Sequence, residues 1–495
     1  MTSDGRDGDD LRPTQVGSTT ARPPLSRRSF LARGLSTGAV TVAALAVARS
    51  TPDPLAILGA RPVSATTGDP GTVPVYNVRD YGASGNGVTD DTAAIQAAIQ
   101  AASQAGGGIA YLPTGTYAVT GISLAPRVDL IGANRTSAVL LFTPTSGDAI
   151  TVSQLGMNRV WSLQVRFAHP VSSGAAIHLI KAFAIDLSEL YVNGLGAKGY
   201  DGIFIDQSTA TFVRNFNLYG LTNAAVHIAG PAGNDAYLSS GIINLFQTDS
   251  GASLLVENFV NGAVNVTDAD LLLGRYALLV RNSNYTRFEN TYFDSSAEGA
   301  MLESGNLHTF SNCWFSNRPG SGLTIGAVRG VTVLGGQVVN CGANGILVTN
   351  GAREVSISGV QVIGNNDGNV GADGIRVDGS EIDNFAITHC LVGNDATAAI
   401  LQTVGQEVGI HVSSAVRDSH YVITGNLLFN NREMGLVDRG TGEKYVVGNI
   451  SPGPPQTSQP SPPPARSQLP VPAAPAGIAG PYSPVVPWPA AGIRM

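Results

Sequence analysis

The run 77–124 reads NVRDYGASGNGVTDDTAAIQAAIQAASQAGGGIAYLPTGTYAVTGISL and holds the most informative pattern in the chain. Thr89 is the predicted N-cap of a helix with Asp90 and Asp91 in its first turn, where acidic side chains favour the helix dipole. The following apolar residues form one helical stripe, which three glycines end: Ala94, Ile95, Ala98, Ile99, Ala102, then Gly106, Gly107 and Gly108. Strand-like segments at 75–78, 109–112 and 117–124 flank this one-sided helix, so we expect it to cover the open end of a sheet.

The chain beyond this helix repeats one short aliphatic unit. Segments of the type Gly-Ile-x-Val supply one aliphatic position per unit, and successive positions are mostly 22 to 29 residues apart. They are Ile122, Ile150, Ile177, Ile203, Val226, Leu254, Leu278, Met301 or Ala300, Leu323, Ile346, Ile375, Ile410 and Leu436. This spacing is too short for a strand plus a crossover helix, and it predicts three short strands joined by turns in each unit.

The runs DYGASGNGVTDDTAAIQAAI (80–99) and GGGIAYLPTGTY (106–117) resemble the opening of pectate-lyase-superfamily proteins. That group includes rhamnogalacturonase- and epimerase-like proteins, family-twenty-eight glycoside hydrolases and phage tailspikes. The resemblance implies an all-β fold over 73–450, a right-handed parallel β-helix of about 12–13 coils capped by the N-terminal helix. The same opening precedes hydrolases, lyases, epimerases and binding spikes, so it implies a fold and leaves the reaction open.

A second column of residues predicts the corners of the coils. Two positions after the aliphatic side chains of this column stand Asn290, Asn312, Gly335, Gly359, His389 and Gly425. Glycine, asparagine and histidine enter the left-handed backbone region more readily than other residues, so His389 is predicted to be a turn residue and not a metal ligand. Cys313 and Cys390 lie three units apart, about 14 Å, which is too far for a disulfide. Cys341 has no companions at zinc spacing, so no metal site is predicted.

The two ends of the chain differ in composition from the repeat. Residues 1–25 are polar and read as disordered, whereas 26–48 begin Ser-Arg-Arg-Ser-Phe-Leu and continue as a modest apolar stretch. The latter resembles a twin-arginine export signal and predicts a secreted protein without a membrane span after cleavage; the alternative is a short membrane anchor. Residues 49–72 are predicted to be a linker, and 451–495 a Pro-rich disordered tail. A formal net charge of −7 argues against a nucleic-acid partner.

Chemistry on such a fold has to use outward side chains, because inward ones form the core. In the run 201–206, DGIFID, strand alternation turns Phe204 and Asp206 outward. The same register turns His178 and His227 outward on the coils either side, about 9–10 Å apart with Phe204 between them. Asp201 and Asp206 would lie at the two ends of the middle strand.

These residues form the candidate site. Asp201, Asp206, His178 and His227 are the predicted catalytic residues, since a glycan-cleaving site needs one acid and one base. Phe204 is predicted to bind substrate, as are Arg214 and Asp235. The alternative is that these side chains are ordinary solvated groups on an outer face.

The resemblance to family-twenty-eight glycosidases is incomplete at the reaction site. Of their Asn-Thr-Asp-Gly motif, only the Asp-Gly pair is present, at Asp201-Gly202. A second Asp-Gly pair occurs at Asp373-Gly374. The Gly-Asp-Asp, Gly-His-Gly and Arg-Ile-Lys motifs are absent. A lyase would instead use Arg or Lys beside an acidic sugar, often with calcium. Arginines lie near acidic residues in the middle of the chain, and Glu303 would pair with Arg281 if Ala300 is the inward residue.

The sequence therefore predicts a secreted glycoside hydrolase that degrades a pectic or other acidic wall polysaccharide. It would need no cofactor, with calcium expected only if it is a lyase. A polysaccharide lyase of the same fold is the first alternative. A non-catalytic glycan-binding or tailspike-like β-helix, monomeric or homotrimeric, is the second.

Overall fold

The computed structural model describes residues 72–245, 251–317, 319–394 and 405–451. The predicted disordered leader 1–25, the export signal 26–48, the linker 49–72 and the tail 451–495 lie outside these ranges, apart from residues 72 and 451. In the described part the chain is a right-handed parallel β-solenoid of about 14 turns, which confirms the predicted β-helix. It has slightly more turns than the 12–13 expected, because Asn86–Asp90, which precedes the helix, already pairs as a strand with Gly115–Val119.

Each coil contributes strands to three walls. Wall 1 carries the aliphatic positions read from the sequence. Its strands are Ile122–Ser123, Ile150–Ser153, Ala175–Ile180, Gly199–Asp206, Leu221–Ala229, Ala252–Glu257, Tyr276–Arg281, the first part of Ala300–Ser311, the first part of Leu323–Leu334, Ile346–Thr349, Ile375–Asp378, Val408–Val412 and Met434–Asp438.

Wall 2 follows wall 1 around each coil. Its strands are Val75–Asn77, Gly108–Leu112, Val128–Gly132, Arg159–Trp161, Asp186–Ser188, Thr209–Arg214, Asn234–Ser239, Val264–Thr267, Ser283–Asn284, Thr286–Glu289, the later parts of Ala300–Ser311 and Leu323–Leu334, Arg353–Ser358, Asp383–Thr388, Tyr421–Thr424 and Lys444–Val447. Ala300–Ser311 and Leu323–Leu334 run through the corner without a break, and they join walls 1 and 2 into one hydrogen-bonded sheet.

Wall 3 closes the coil and has 14 strands in the described ranges. They are Asn86–Asp90, Gly115–Val119, Ala138–Phe142, Gln164–Phe167, Tyr191–Asn193, Asn217–Tyr219, Ile242–Asn244, Asp270–Leu272, Tyr292–Asp294, Trp314–Ser316, Gln337–Val339, Gln361–Ile363, Leu391–Gly393 and Leu427–Phe429.

The N-terminal end is covered by helix α1, Thr92–Gln104, after a short 3-10 helix, Val78–Tyr81. Ile95, Ala98, Ile99 and Ala102 are buried against the first coils, as the stripe predicted. The predicted N-cap was wrong: the helix begins two residues later than expected, with Asp91 as N-cap. The carboxylate of Asp91 instead accepts hydrogen bonds from the 84–85 turn, and its backbone N–H donates to the wall 3 strand Gly115–Val119, so the chain is extended up to that residue.

The predicted corner column is confirmed. His389 has a φ of 55°, in the left-handed region, like Asn290 and Asn312 in the same column. All three cysteines are free and buried. Burial raises the pKa of the Cys313 thiol to about 12 and that of Cys390 to about 11, so both thiols stay protonated. No helix in the described ranges is long and apolar enough to cross a membrane.

Phenylalanines from adjacent coils stack inside the solenoid. Phe288 stacks on Phe310 with ring centroids 5.0 Å apart, and Phe293 stacks on Phe315 at 4.9 Å. Phe293 also meets Phe288 edge to face at 5.4 Å. All four rings are at most 1% exposed, so they form one continuous aromatic block that ties neighbouring coils together.

Phe293→Ala should lower the free energy of unfolding by about 3–5 kcal/mol, because it leaves a large cavity in this block. Urea denaturation followed by circular dichroism measures the loss. Leu334→Ala is the control, since Leu334 is 52% exposed and should change the stability little. A loss at Phe293 no larger than that at Leu334 would contradict the assigned packing.

Candidate active site

Three rings from successive coils stack on the outer face of wall 1. The rings of His178 and Phe204 lie 4.6 Å apart and 12° from parallel, and those of Phe204 and His227 lie 4.2 Å apart and 9° from parallel. The register pairs His178 with Phe204 and Phe204 with His227, as strand alternation predicted. The stack holds both imidazoles in fixed planes, with Phe204 as a half-exposed floor between them.

Asp201 fixes one of these imidazoles. It is only 3% exposed, and its Oδ1 accepts the backbone N–H of Ala224 at 2.9 Å and the side-chain amide of Asn223 at 2.8 Å. Its Oδ2 lies 3.1 Å from Nδ1 of His227. Because both oxygens already have protein partners, the geometry suits Asp201 to orient His227 and not to reach a bound molecule.

The other nitrogen of His227 faces a second carboxylate. Nε2 lies 3.1 Å from Oε1 of Glu257, on the next coil. Burial lowers the pKa of His227, but the hydrogen bonds and charges of Asp201 and Glu257 outweigh burial, so the net pKa is raised above its ordinary value. Carboxylates at both nitrogens favour the doubly protonated imidazolium. The result is a hydrogen-bonded chain, Asp201–His227–Glu257, whose Glu257 end is 30% exposed.

A matching pair lies on the other side of Phe204. Asp148 accepts the backbone N–H of Ala175 at 2.8 Å through Oδ1, and its Oδ2 lies 2.8 Å from Nδ1 of His178. This repeats the contacts of Asp201 two coils earlier. No carboxylate of the described residues lies at Nε2 of His178, which is buried and without a hydrogen-bond partner. Both imidazoles are therefore held at Nδ1 by an aspartate, but they differ in what Nε2 contacts.

The stack lies in an open groove of about 490 Å³ on wall 1. Asp148, Asp201, Glu257 and Arg281 line it together with the three rings. Arg281 donates from Nε to Glu303 at 2.6 Å, and Ala300 is fully buried, so the conditional pairing read from the sequence is confirmed. The groove thus combines an aromatic floor, a carboxylate–imidazole chain and an exposed cation, all of which a charged sugar can contact.

The donor set of the groove does not fit calcium. That ion takes six to eight oxygen ligands, whereas the oxygens of Asp201 already accept N–H donors and Glu257 faces an imidazole. Within the part of the chain that the structure describes, no group of three or more His, Cys, Asp or Glu side chains is placed to hold a metal ion.

The remaining predicted site residues lie elsewhere. Asp206 is on the same strand as Phe204 but outside the lining of the groove, and it accepts from the side chain of Gln207 at 3.3 Å. Arg214 lies on wall 2, over the ring of Phe212 at 4.8 Å. Asp235 is also on wall 2, where its Oδ1 accepts the backbone N–H of Ala263 at 2.9 Å. The structure therefore brings His178, Asp201, Phe204 and His227 together, and leaves Arg214 and Asp235 on a different wall.

Sequence reasoning missed Asp148 and Glu257 as members of the site. Asp148 stands two residues before the aliphatic Ile150, as Asp201 stands two before Ile203. Glu257 is opposite Ala229 in the parallel register, which in turn is opposite Asp206. Counting from the aliphatic column on every coil, and not only on the coil of Asp201, would have found both.

A family sequence profile described as "Rhamnogalacturonase A/epimerase, pectate lyase-like" matches residues 75–347, more than half of the chain. The chain belongs to this family. A second profile, "Right handed beta helix region", matches residues 276–451. The first match covers every residue of the groove, so the site lies within the family domain of this rhamnogalacturonase A/epimerase-like protein.

Similar proteins of known name match a short part of the chain. Mannuronan C5-epimerase AlgE1 of Azotobacter vinelandii is 49% identical over 73 residues, 13% of this chain and 5% of that protein. Alginate lyase 7 of the same organism is 67% identical over 46 residues, 9% of this chain and 5% of that protein. The matched segment thus spans about one twentieth of each of these curated relatives.

A solved structure with the same fold is tailspike protein 3 of bacteriophage CBA120. It has a TM-score of 0.56 and 14% sequence identity, and the match covers 75% of this chain and 59% of that chain. At 14% sequence identity, the match shows that the two proteins share a fold and says nothing about the reaction of either.

Glu257→Gln should lower the pKa of the His227 imidazole, because it removes a negative charge that favours the protonated ring. The protonated form, which persists to higher pH in the parent protein, should then disappear at lower pH. NMR titration of the histidine ring protons, assigned with His227→Asn, measures the shift. Glu303→Gln is the control: Glu303 pairs with Arg281, so this variant should leave the pKa of His227 close to that of the parent protein. Equal His227 titrations in the parent and in Glu257→Gln would contradict the Glu257 contact.

Proposed function

We propose that this protein modifies a uronic-acid polysaccharide by proton transfer at the sugar carbon next to the carboxylate, as a C5-epimerase or a lyase. The observation that carries the proposal is the Asp201–His227–Glu257 chain, which ends at an exposed carboxylate on an open groove. Both reactions begin with removal of the same proton, so one acid–base group serves either. The names of the relatives, mannuronan C5-epimerase and alginate lyase, support this class of reaction.

Glu257 is the proposed acid–base residue because it is the most exposed member of the chain. It takes the C5 proton, and the electron pair passes into the sugar carboxylate as an enolate. For epimerisation the pair returns to C5 with a proton from water on the opposite, solvent-exposed face, which inverts the carbon. For cleavage the pair forms the C4–C5 double bond and expels the oxygen at C4, which takes a proton from water. His227 holds the Glu257 carboxylate in place through the contact of Nε2 with Oε1, and Asp201 is a positioning residue that holds the imidazole.

Arg281 is the proposed partner of the sugar carboxylate. It lies one coil beyond Glu257, in the register that pairs the two residues, and it lines the groove. A cation at this place stabilises the enolate that forms when the C5 proton leaves. Phe204 offers a flat apolar surface for the sugar ring. Such a substrate lies outside the cell, in agreement with the predicted export signal at 26–48.

Glu257→Gln should lower kcat by at least about 100-fold while polymer binding persists, since it removes the proton acceptor and keeps the shape. The assay follows deuterium uptake at C5 by NMR, and the ultraviolet absorbance of unsaturated ends, with polymannuronate and polygalacturonate in deuterium oxide. Glu354→Gln is the matched control, because Glu354 pairs with Arg329 on wall 2. Full activity of Glu257→Gln would exclude Glu257 as the base.

A second candidate function, a glycoside hydrolase, is favoured by one specific observation. Asp206 and Glu257 occupy the same outward column two coils apart, with only the small Ala229 between them. Two coil steps give about 9–10 Å between their backbones. Inverting glycosidases use carboxyl groups about 6.5–9.5 Å apart, so this pair could protonate a leaving oxygen and activate water.

The products and Asp206→Asn distinguish the two functions. A hydrolase should release reducing ends without unsaturation or deuterium at C5, and Asp206→Asn should then lower kcat by about 100-fold or more. The epimerase or lyase proposal predicts deuterium uptake or unsaturated ends, and a kcat for Asp206→Asn within a few-fold of the parent. Reducing ends alone, lost in Asp206→Asn, would replace the first proposal by the second.

A further inference from the structure

The outward pattern of the groove occurs a second time on wall 1. Residues 201–206 read DGIFID and residues 373–378 read DGIRVD. On the coil after each hexapeptide an outward histidine follows the aliphatic residue, His227 in AVHIA and His411 in GIHVS. The parallel register places His227 beside Phe204 and His411 beside Arg376, so the two segments occupy equivalent positions on different coils.

The contacts of the second segment repeat those of the first. Asp373 is 2% exposed, and its Oδ1 accepts the backbone N–H of Val408 at 3.1 Å. Its Oδ2 lies 2.9 Å from Nδ1 of His411. Asp201 makes the same two contacts, with Ala224 and His227. The second histidine is thus held in the same way as the histidine of the proposed catalytic chain.

The second segment differs where the chemistry would take place. Arg376 replaces Phe204, and it donates to Asp373 at 3.1 Å and to Asp378 at 2.8 Å. The register that pairs Val412 with Asp438 places Arg439 where Glu257 stands in the first segment. Arg439 therefore takes the sequence position of the exposed carboxylate, and the proposed acid–base group is missing.

The polar groups of the second segment suit sugar hydroxyls. Asp378 is held by the hydroxyl of Ser413 at 2.6 Å, and its side chain is 35% exposed. Arg376 is 29% and His411 15% exposed at the side chain. Arg376 and the two aspartates balance much of each other's charge, so the cluster is no simple anion site. Adjacent fixed donors and acceptors of this kind match neighbouring hydroxyls, which both donate and accept.

One outward column of wall 1 runs between the two segments. Seven coil steps separate Ile203 from Ile375, about 34 Å along the solenoid. The outward column between His227 and Arg376 is mostly aliphatic and consists of Leu255, Leu279, Met301, Thr324 and Leu347. Leu255, Leu279 and Thr324 are at most 8% exposed, so this column presents little side-chain surface of its own, and the main contacts of a polymer along wall 1 are expected at the two segments.

We infer that Asp373, Arg376, Asp378 and His411 form a second, non-catalytic carbohydrate subsite, which binds hydroxyl groups of the same polymer far from the proposed reaction site. The inference rests on the proposed function for the identity of the polymer. A long chain lying on wall 1 contacts both segments, whereas an oligosaccharide shorter than the separation contacts one. The subsite therefore selects for polymer length.

The test compares the affinity for long polymannuronate with that for its tetrasaccharide. Isothermal titration in the Glu257→Gln background avoids turnover during the measurement. Arg376→Ala should lower the ratio of the two affinities about tenfold, because only the long polymer loses contacts. Arg353→Ala is the matched control, since Arg353 lies on wall 2 and pairs with Glu381 at the surface; it should leave the ratio unchanged.

Asp378→Asn is the second variant, used if Arg376→Ala lowers the melting temperature strongly, because it keeps the side-chain volume. An unchanged ratio in a folded Arg376→Ala or Asp378→Asn protein would overturn the inference, as would an equal loss for the tetrasaccharide. If the Glu257→Gln protein binds neither probe and the parent acts on neither, the proposed polymer class has failed. Binding of both probes with an unaltered ratio removes the second subsite alone.

Discussion

Parallel hydrogen bonding between successive coils is the constraint on which the rest of the structure depends. Each wall 1 strand pairs in register with the strands of the coils before and after it, from Ile122 through Ile410 to Leu436. Because the register rarely shifts, a side chain at a given offset from the aliphatic position always points the same way. Rings, carboxylates and cations therefore align in columns, and the groove is built from such columns.

Three aspartates show how backbone contacts also fix the orientation of the imidazoles. Asp148, Asp201 and Asp373 each accept an N–H of the next coil with one oxygen and orient an imidazole with the other. The backbone contact fixes the carboxylate, and the carboxylate fixes the ring plane. Preorganisation of this kind needs no loop closure, since the groups already lie on rigid strands.

Much of the fold could be predicted from the sequence because its signals are local and repeated. The aliphatic spacing, the Asn and Gly corners and the helical stripe each reflect a few neighbouring residues. The helix start was misplaced because Asp91 serves the 84–85 turn, a contact that no local rule reveals. The ring stack was predicted because strand alternation fixes it. The register places Glu257 in the outward column of Asp206, but the contact of its side chain with Nε2 of His227 depends on side-chain conformation, which the sequence does not give.

The three aspartate–imidazole pairs have a consequence for how such a protein changes over time. The functional side chains are spread over successive strands of wall 1, and Phe204 and Arg376 show that one side chain can be exchanged while the Asp–His contact is kept. Evolution can therefore change the chemistry one side chain at a time. Substitutions of this kind convert a catalytic site into a binding site, or the reverse, and leave the β-helix intact.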